Sequence, residues 1–305
     1  MNGFNSGIRT ADVPGAVPSR ASLSADRRGF PMNTRPGPEF LFCCSTGRSG
    51  TNHLAVALAG CEGVHATHEA RPILNGRAMR WVMNGLLPAS LAVAPLARSL
   101  QRTKRATKCS VRADVSHVFA KWYGPALLDR IGPSRCMVIR LWRSPLDVIR
   151  SFYEMDAIPG TPWGTHWMGD PRWKSCRLRL DPRNDAEAVA WHVVESWIRT
   201  EEIRNLCPGI RMVDLPFEIL CDAKALRHWL VEIGLQPVAD FEKRVSRVSN
   251  DKTSLKARAG RSADRAEIET AWRRVVDLAR QRQVVGEADR ETLLDAPGSS
   301  LRIAA

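Results

Sequence analysis

FLFCCSTGRSGTNHL, residues 40–54, is the stretch whose reading decides the fold. Phe40, Leu41, Phe42, Cys43 and Cys44 form an apolar run of strand length. Gly47 and Gly50 then allow a turn tight enough for successive N–H groups to face one anion, and the helix expected from about Thr51 adds the positive end of its dipole. Arg48 contributes a fixed charge, and Ser49 and Thr51 contribute hydroxyl donors. The nucleotide-triphosphatase pattern G-x-x-x-x-G-K-[ST] is not met, because the upstream glycine and the lysine are both missing.

A second stretch, CMVIRLWRSPLDVIRSFY (residues 136–153), repeats the logic. Met137, Val138, Ile139 and Leu141 read as a buried strand. Ser144, Pro145 and Asp147 read as an N-cap, a first-turn proline and an acidic third position, so a helix starts beside Arg143. Ser151 follows Arg143 by eight residues, about two helical turns, which lets a loop guanidinium and a helix hydroxyl converge on one phosphate.

Together the two stretches resemble the sulfotransferases that use 3′-phosphoadenosine 5′-phosphosulfate (PAPS). Arg48-Ser49-Gly50-Thr51-Asn52-His53-Leu54 is similar to the family's [KR]-S-G-T-[TN]-x-L, which grips the 5′-phosphosulfate. Arg143-Ser144-Pro145-Leu146-Asp147 with Ser151 is similar to its R-x-P-x-D motif and following serine, which grip the 3′-phosphate. The resemblance reaches from about residue 38 to about 235. Arg48 stands where many relatives carry Lys, and Asn52 where many carry a second Thr; arginine there points toward the carbohydrate and tyrosyl-protein branches. The resemblance implies a doubly wound α/β fold like that of the P-loop NTPases, with a mainly parallel sheet between flanking helices. It implies PAPS as sulfuryl donor, no metal, and cofactor contacts from Gly47, Arg48, Ser49, Gly50, Thr51, Asn52, Arg143 and Ser151.

Transfer to an acceptor also needs a base. HATHEARP (residues 65–72) offers Glu69, with His68 and His65 as rivals; Glu69 resembles the catalytic glutamate of those branches, whereas the plainer alternative pairs it with Arg71. Arg48 beside the leaving phosphate and Lys108, expected on the third strand, complete the catalytic candidates. Lys256, Arg258 and Arg261 lie where relatives fold a basic loop over the cofactor, though a solvated charged loop explains them equally.

The remaining sequence supplies the frame. Short strands are expected at Gly63–Thr67, Arg105–Val111, Arg135–Leu141 and Ile210–Leu215, with helices at Ala186–Leu206 and Asp222–Gly234. Residues 1–38, rich in Gly, Ser, Pro and Arg, read as a flexible leader with no secretory pattern, and 39–305 as the sulfotransferase domain with a basic tail over 250–305. The most apolar window, residues 81–100, is broken by Asn84, Gly85, Pro88 and Pro95; it reads as a helix pair near the acceptor cleft rather than a membrane span, with an interfacial role open. Residues 156–184 bring Trp163, Trp167 and Trp173, to stack on an acceptor or to pack a long loop.

A net charge of +13 suits a polyanionic ligand and would suit nucleic acid. The scattered arginines, without finger spacing or RNA-recognition aromatics, argue against nucleic acid. Eight cysteines without metal-ligand pairs point to reduced thiols and a cytoplasmic setting. The expected acceptor is a small molecule, carbohydrate or peptide bearing a hydroxyl or amine. The alternatives are an ATP-dependent kinase of related fold and a basic nucleic-acid-binding protein with a degenerate nucleotide pocket; oligomeric state is not legible.

Overall fold

The computed structural model describes residues 37–246, 262 and 264–285. The expectations for the leader up to residue 36, and those for Lys256, Arg258 and Arg261, fall outside the described residues.

Five strands form one sheet in the order β2-β3-β1-β4-β5, every neighbouring pair parallel: β1 (Phe40–Cys44), β2 (Val64–His68), β3 (Val111–Val115), β4 (Cys136–Trp142) and β5 (Arg211–Pro216). The doubly wound α/β expectation is met. The central strand β1 is apolar throughout because both its faces are covered. Phe40, Phe42 and Cys44 enter one core, which holds the long helix α8 (Asp185–Leu206); Leu41 and Cys43 enter the other, with Leu54 and Leu58 of α1 (Thr51–Ala59). This is the period-two alternation of a strand sorting its side chains between two layers.

Local chemistry sets the helix starts. Ser144 caps α6 (Pro145–Tyr153) by accepting the Asp147 N–H, with Pro145 in the first turn, as the sequence predicts. Asn184 caps α8 through the Glu187 N–H, and Gly234, with φ 90°, follows α10 (Ala223–Glu232).

Two expectations are corrected. The third strand runs over Val111–Val115, not Arg105–Val111; residues 105–107 end helix α4 (Ala94–Thr107). Lys and Arg at exposed helix positions had masked the true strand, which itself carries a buried Arg112 and Asp114. The window 81–100 holds parts of three helices rather than a pair: α2 (Gly76–Met83), α3 (Ala89–Ala92) and α4. Among the described residues no helix is long and apolar enough to cross a membrane.

The winding of the sheet switches between β1 and β4: β1 leads toward β2 on one side of the sheet, and β4 toward β5 on the other, with all strands parallel. In an open α/β sheet the crevice at the carboxyl ends of such a pair is where ligands bind. The two motifs read from sequence lie in that crevice.

Candidate active site

Beyond β1 the chain folds into a turn in which Gly47 (φ 86°), Arg48 (φ 56°) and Gly50 (φ 89°) all have positive φ. Such a run directs backbone N–H groups inward as a concave anion seat. For Arg48 this conformation costs roughly 1 to 2 kcal/mol, so the surroundings must hold it. Ser45 Oγ accepts the Gly47 N–H at 3.0 Å, and the Thr46 and Ser49 hydroxyls donate to Gly47 O at 2.9 and 3.2 Å. From α8, His192 Nε2 donates to Thr46 O at 2.8 Å; burial holds this imidazole well below its usual pKa, hence neutral. A Cβ on Gly47 would press on His117 and Phe152, and one on Gly50 would lie 2.7 Å from Leu220 Cδ2. Ser49 is buried with its hydroxyl engaged inside the turn and does not line the cavity, so its role here is to shape the loop.

Two guanidiniums converge at this turn. Arg48 Nε donates to Ser151 Oγ of α6 at 3.0 Å, and Arg143 donates to Arg48 O at 2.9 Å while stacking 4.7 Å from the Phe217 ring centroid. Burial and the neighbouring Arg143 both lower the pKa of Arg48. Neither arginine has a carboxylate partner among the described residues, and Arg143 Nε is buried without a hydrogen-bond partner there. Helix α1 begins without a side-chain cap or an acidic residue in its first turn. Like charges, an unanswered donor and an uncapped helix N-terminus define a seat for an anion.

Opposite lies a group of titratable side chains. Glu69, with φ 57°, follows β2 directly; the Ala70 N–H bonds to buried Asp114 Oδ1 at 2.8 Å, which secures the strained turn. Glu69 Oε1 is 3.1 Å from His117 Nε2, and His117 Nδ1 is 2.6 Å from Lys121 Nζ, which also donates to Trp167 O at 2.9 Å. Burial raises the pKa of Glu69, against the pull of His68 and Lys121; burial lowers those of His117 and Lys121. A charged Lys121 can only donate, so it would fix His117 as the Nε2–H tautomer donating to Glu69 and leave the second carboxylate oxygen as the proton acceptor. Asp114 is pushed up to about 6 by burial, and Glu69 adds to that rise.

Both faces open on one cavity of about 620 Å³. Gly47, Arg48, Gly50, Thr51, Asn52 and Arg143 line its anionic end. His68, Glu69 and His117 line its middle, and Trp163 and Trp167 of α7 (Pro162–Trp167) form an aromatic wall beside Phe152 and Met155.

The structure thus brings Gly47, Arg48, Gly50, Thr51, Asn52, His68, Glu69 and Arg143 to one cavity, with Ser151 bonded to Arg48. His68 Nε2 is engaged with Thr51 Oγ1 at 3.0 Å, which places it in the anion seat's first turn. Glu69 pairs with His117, not Arg71. Lys108 is corrected outright: it sits exposed at the end of α4, before the amino end of β3, whereas the cavity lies beyond the carboxyl ends of the strands. Trp173 is buried in the core rather than lining the cavity. The sequence reading missed His117, Lys121, Asp114 and His192. A strand placed at VRADV would have exposed the first three, since charged residues in and just after a buried strand need partners.

Among solved structures, the chain is similar to the sulfotransferase domain from the Synechococcus PCC 7002 olefin synthase, at 17% identity over 82% of this chain and 96% of that one, with a TM-score of 0.43. No family model matches the chain. No curated protein matches it.

Proposed function

We propose that this protein is a PAPS-dependent sulfotransferase that sulfates a hydroxyl or amine and releases adenosine 3′,5′-bisphosphate. The carrying observation is the meeting of Arg48 and Arg143, 95 residues apart in sequence, at a positive-φ turn with no carboxylate to answer them among the described residues. The orphaned Arg143 Nε fits a ligand with a second phosphate beyond the one in the turn.

Bound PAPS would supply an electrophilic sulfur joined to a phosphate leaving group. Arg48 and the turn N–H groups would receive the charge that grows on the bridging oxygen, a contribution larger in the transition state than in the ground state. Glu69 would remove the acceptor proton as the acceptor oxygen or nitrogen bonds to sulfur and the sulfur–oxygen bond to phosphate breaks. His117 would orient Glu69, and Lys121 would set the tautomer of His117. Trp163 and Trp167 would hold the acceptor against this base. A reducing, cytoplasmic setting is part of this proposal and rests on the eight cysteines without metal-ligand spacing.

Thermal denaturation with added nucleotides tests the reading. Stabilisation by adenosine 3′,5′-bisphosphate but not by ATP with Mg²⁺ is expected. Stabilisation by ATP with Mg²⁺ alone would replace the sulfotransferase with a kinase, and no response to either would leave only a degenerate pocket.

A further inference from the structure

Residues 70–113 carry nine Lys or Arg and no Asp or Glu, although the whole chain holds 32 acidic residues in 305. This acid-free segment covers α2, α3 and α4, and it concentrates exposed apolar surface. Among the described residues seven large apolar side chains are exposed; Ile73, Trp81, Leu86 and Leu91 belong to this segment, and Trp163 lies beside it. Trp81 is 49% exposed, Leu86 73% and Leu91 64%, values high enough to need an explanation in a folded protein.

The helices arrange these residues on the outside. Met79 and Met83 turn the inner side of α2 into the core, leaving Arg77, Arg80 and Trp81 on the outer side at helical spacing. The Leu86 N–H bonds to Trp81 O at 2.8 Å, so the turn after α2 brings Leu86 back beside Trp81. Along α4, Leu96, Ala97 and Leu100 are buried while Arg98, Arg102 and Arg105 are exposed. None of these five arginines has an ion-pair partner among the described residues; Asp170, the acid that acts on Arg80, is buried and bonded to Arg172. The patch adjoins the cavity: Gly76 at the start of α2 lies against His166, and His166 packs on Trp167 of the aromatic wall.

We propose that the α2–α4 face docks on an anionic phospholipid surface, with Trp81, Leu86 and Leu91 entering the interface and the arginines meeting the headgroups. An exposed tryptophan and leucines flanked by arginines without an ion-pair partner among the described residues, with acids excluded over 44 consecutive positions, is the chemistry of interfacial attachment. A protein partner of ordinary mixed charge would not call for that exclusion. The docking does not depend on the sulfotransferase reading, so either can fail alone.

Co-sedimentation of the full chain with vesicles at physiological salt tests it. Vesicles of phosphatidylglycerol mixed with phosphatidylcholine should bind the protein, and pure phosphatidylcholine should bind it at least about tenfold more weakly. The triple change Trp81→Ser, Leu86→Ser, Leu91→Ser should lower partitioning about tenfold or more, and Arg77→Glu with Arg80→Glu by a similar factor. Matched controls on other faces, Leu206→Ser with Val231→Ser and Lys224→Glu with Arg273→Glu, should change it less than about twofold. All the substituted residues are exposed, so unchanged melting should accompany each variant. Equal losses from the controls would reduce the effect to net charge and overturn the proposal, as would absence of binding. A concentration-dependent dimer without vesicles, abolished by the triple change, would assign the patch to a second copy of the chain instead.

Discussion

The anionic end and the proton-accepting middle of the cavity are built differently. The anionic end comes from two contiguous stretches, 45–52 and 143–151, in which a strand end, a turn and a helix start follow one another in sequence. The middle is assembled from β2's end, the segment after β3 and the carbonyl that ends α7: Glu69, His117, Lys121 and Trp167 O meet only in three dimensions. Backbone N–H groups and two arginines recognise charge, and local geometry specifies them. A base with a raised pKa requires burial and neighbours, which only the packed fold provides.

The largest effect should come from Glu69→Gln, which keeps the shape of the site while removing the proton acceptor. Sulfuryl transfer should fall by about two to four orders of magnitude, with binding of adenosine 3′,5′-bisphosphate near normal. Because a base must be deprotonated, wild-type activity should fall as pH drops through the raised Glu69 pKa, and the variant should lack that acidic limb. If the limb persists and His68→Ala or His117→Ala removes it, the imidazole is the base.

At the anionic end, Arg143→Ala should weaken adenosine 3′,5′-bisphosphate by roughly 2 to 3 kcal/mol while adenosine 5′-phosphate binding scarcely changes. Equal losses for both ligands would place Arg143 on the shared 5′-phosphate and erase the two-phosphate assignment.

The two ends differ in legibility for the same reason that they differ in construction. Gly47, Arg48 and Gly50 announce their turn because positive φ and a phosphate seat demand those residue types in that order. Likewise Ser144, Pro145 and Asp147 announce a helix start next to Arg143. Glu69 was legible only as one carboxylate among nearby histidines, because its partner lies 48 residues away. Lys108 closes a basic helix end whose residues imitate the start of β3; that imitation also conceals Asp114, inside the real strand, and His117, two residues beyond it. His192 gave no sign at all: within a helix buried almost all round, a histidine that bonds Thr46 O looks like any other core residue.

Two smaller effects sharpen the contrast. Asp114 titrates at about 6 in the folded protein against an ordinary 3.8, so the folded state binds the extra proton between those values and wild-type stability falls as pH rises across that window. Asp114→Asn, which keeps an acceptor for the Ala70 N–H, should remove this dependence and gain up to about 3 kcal/mol over wild type above pH ~6, with little gain below pH ~4, in chemical denaturation at the two pH values. A gain that is the same at both would mean Asp114 is not protonated in the fold. Lys121→Met should then shift the acidic limb of activity to higher pH, because Lys121 opposes the burial that raises the Glu69 pKa. A limb that stays in place would detach Lys121 from the proton path.

The division between the two ends is tested most directly by calorimetric titration of adenosine 3′,5′-bisphosphate into wild type, Arg143→Ala and Glu69→Gln side by side. Affinity should drop about 30-fold or more for Arg143→Ala and stay within about threefold of wild type for Glu69→Gln. Undiminished binding by Arg143→Ala, or a loss in Glu69→Gln as large as that in Arg143→Ala, would contradict the assignment of anion recognition to the two arginines and proton removal to the opposite wall.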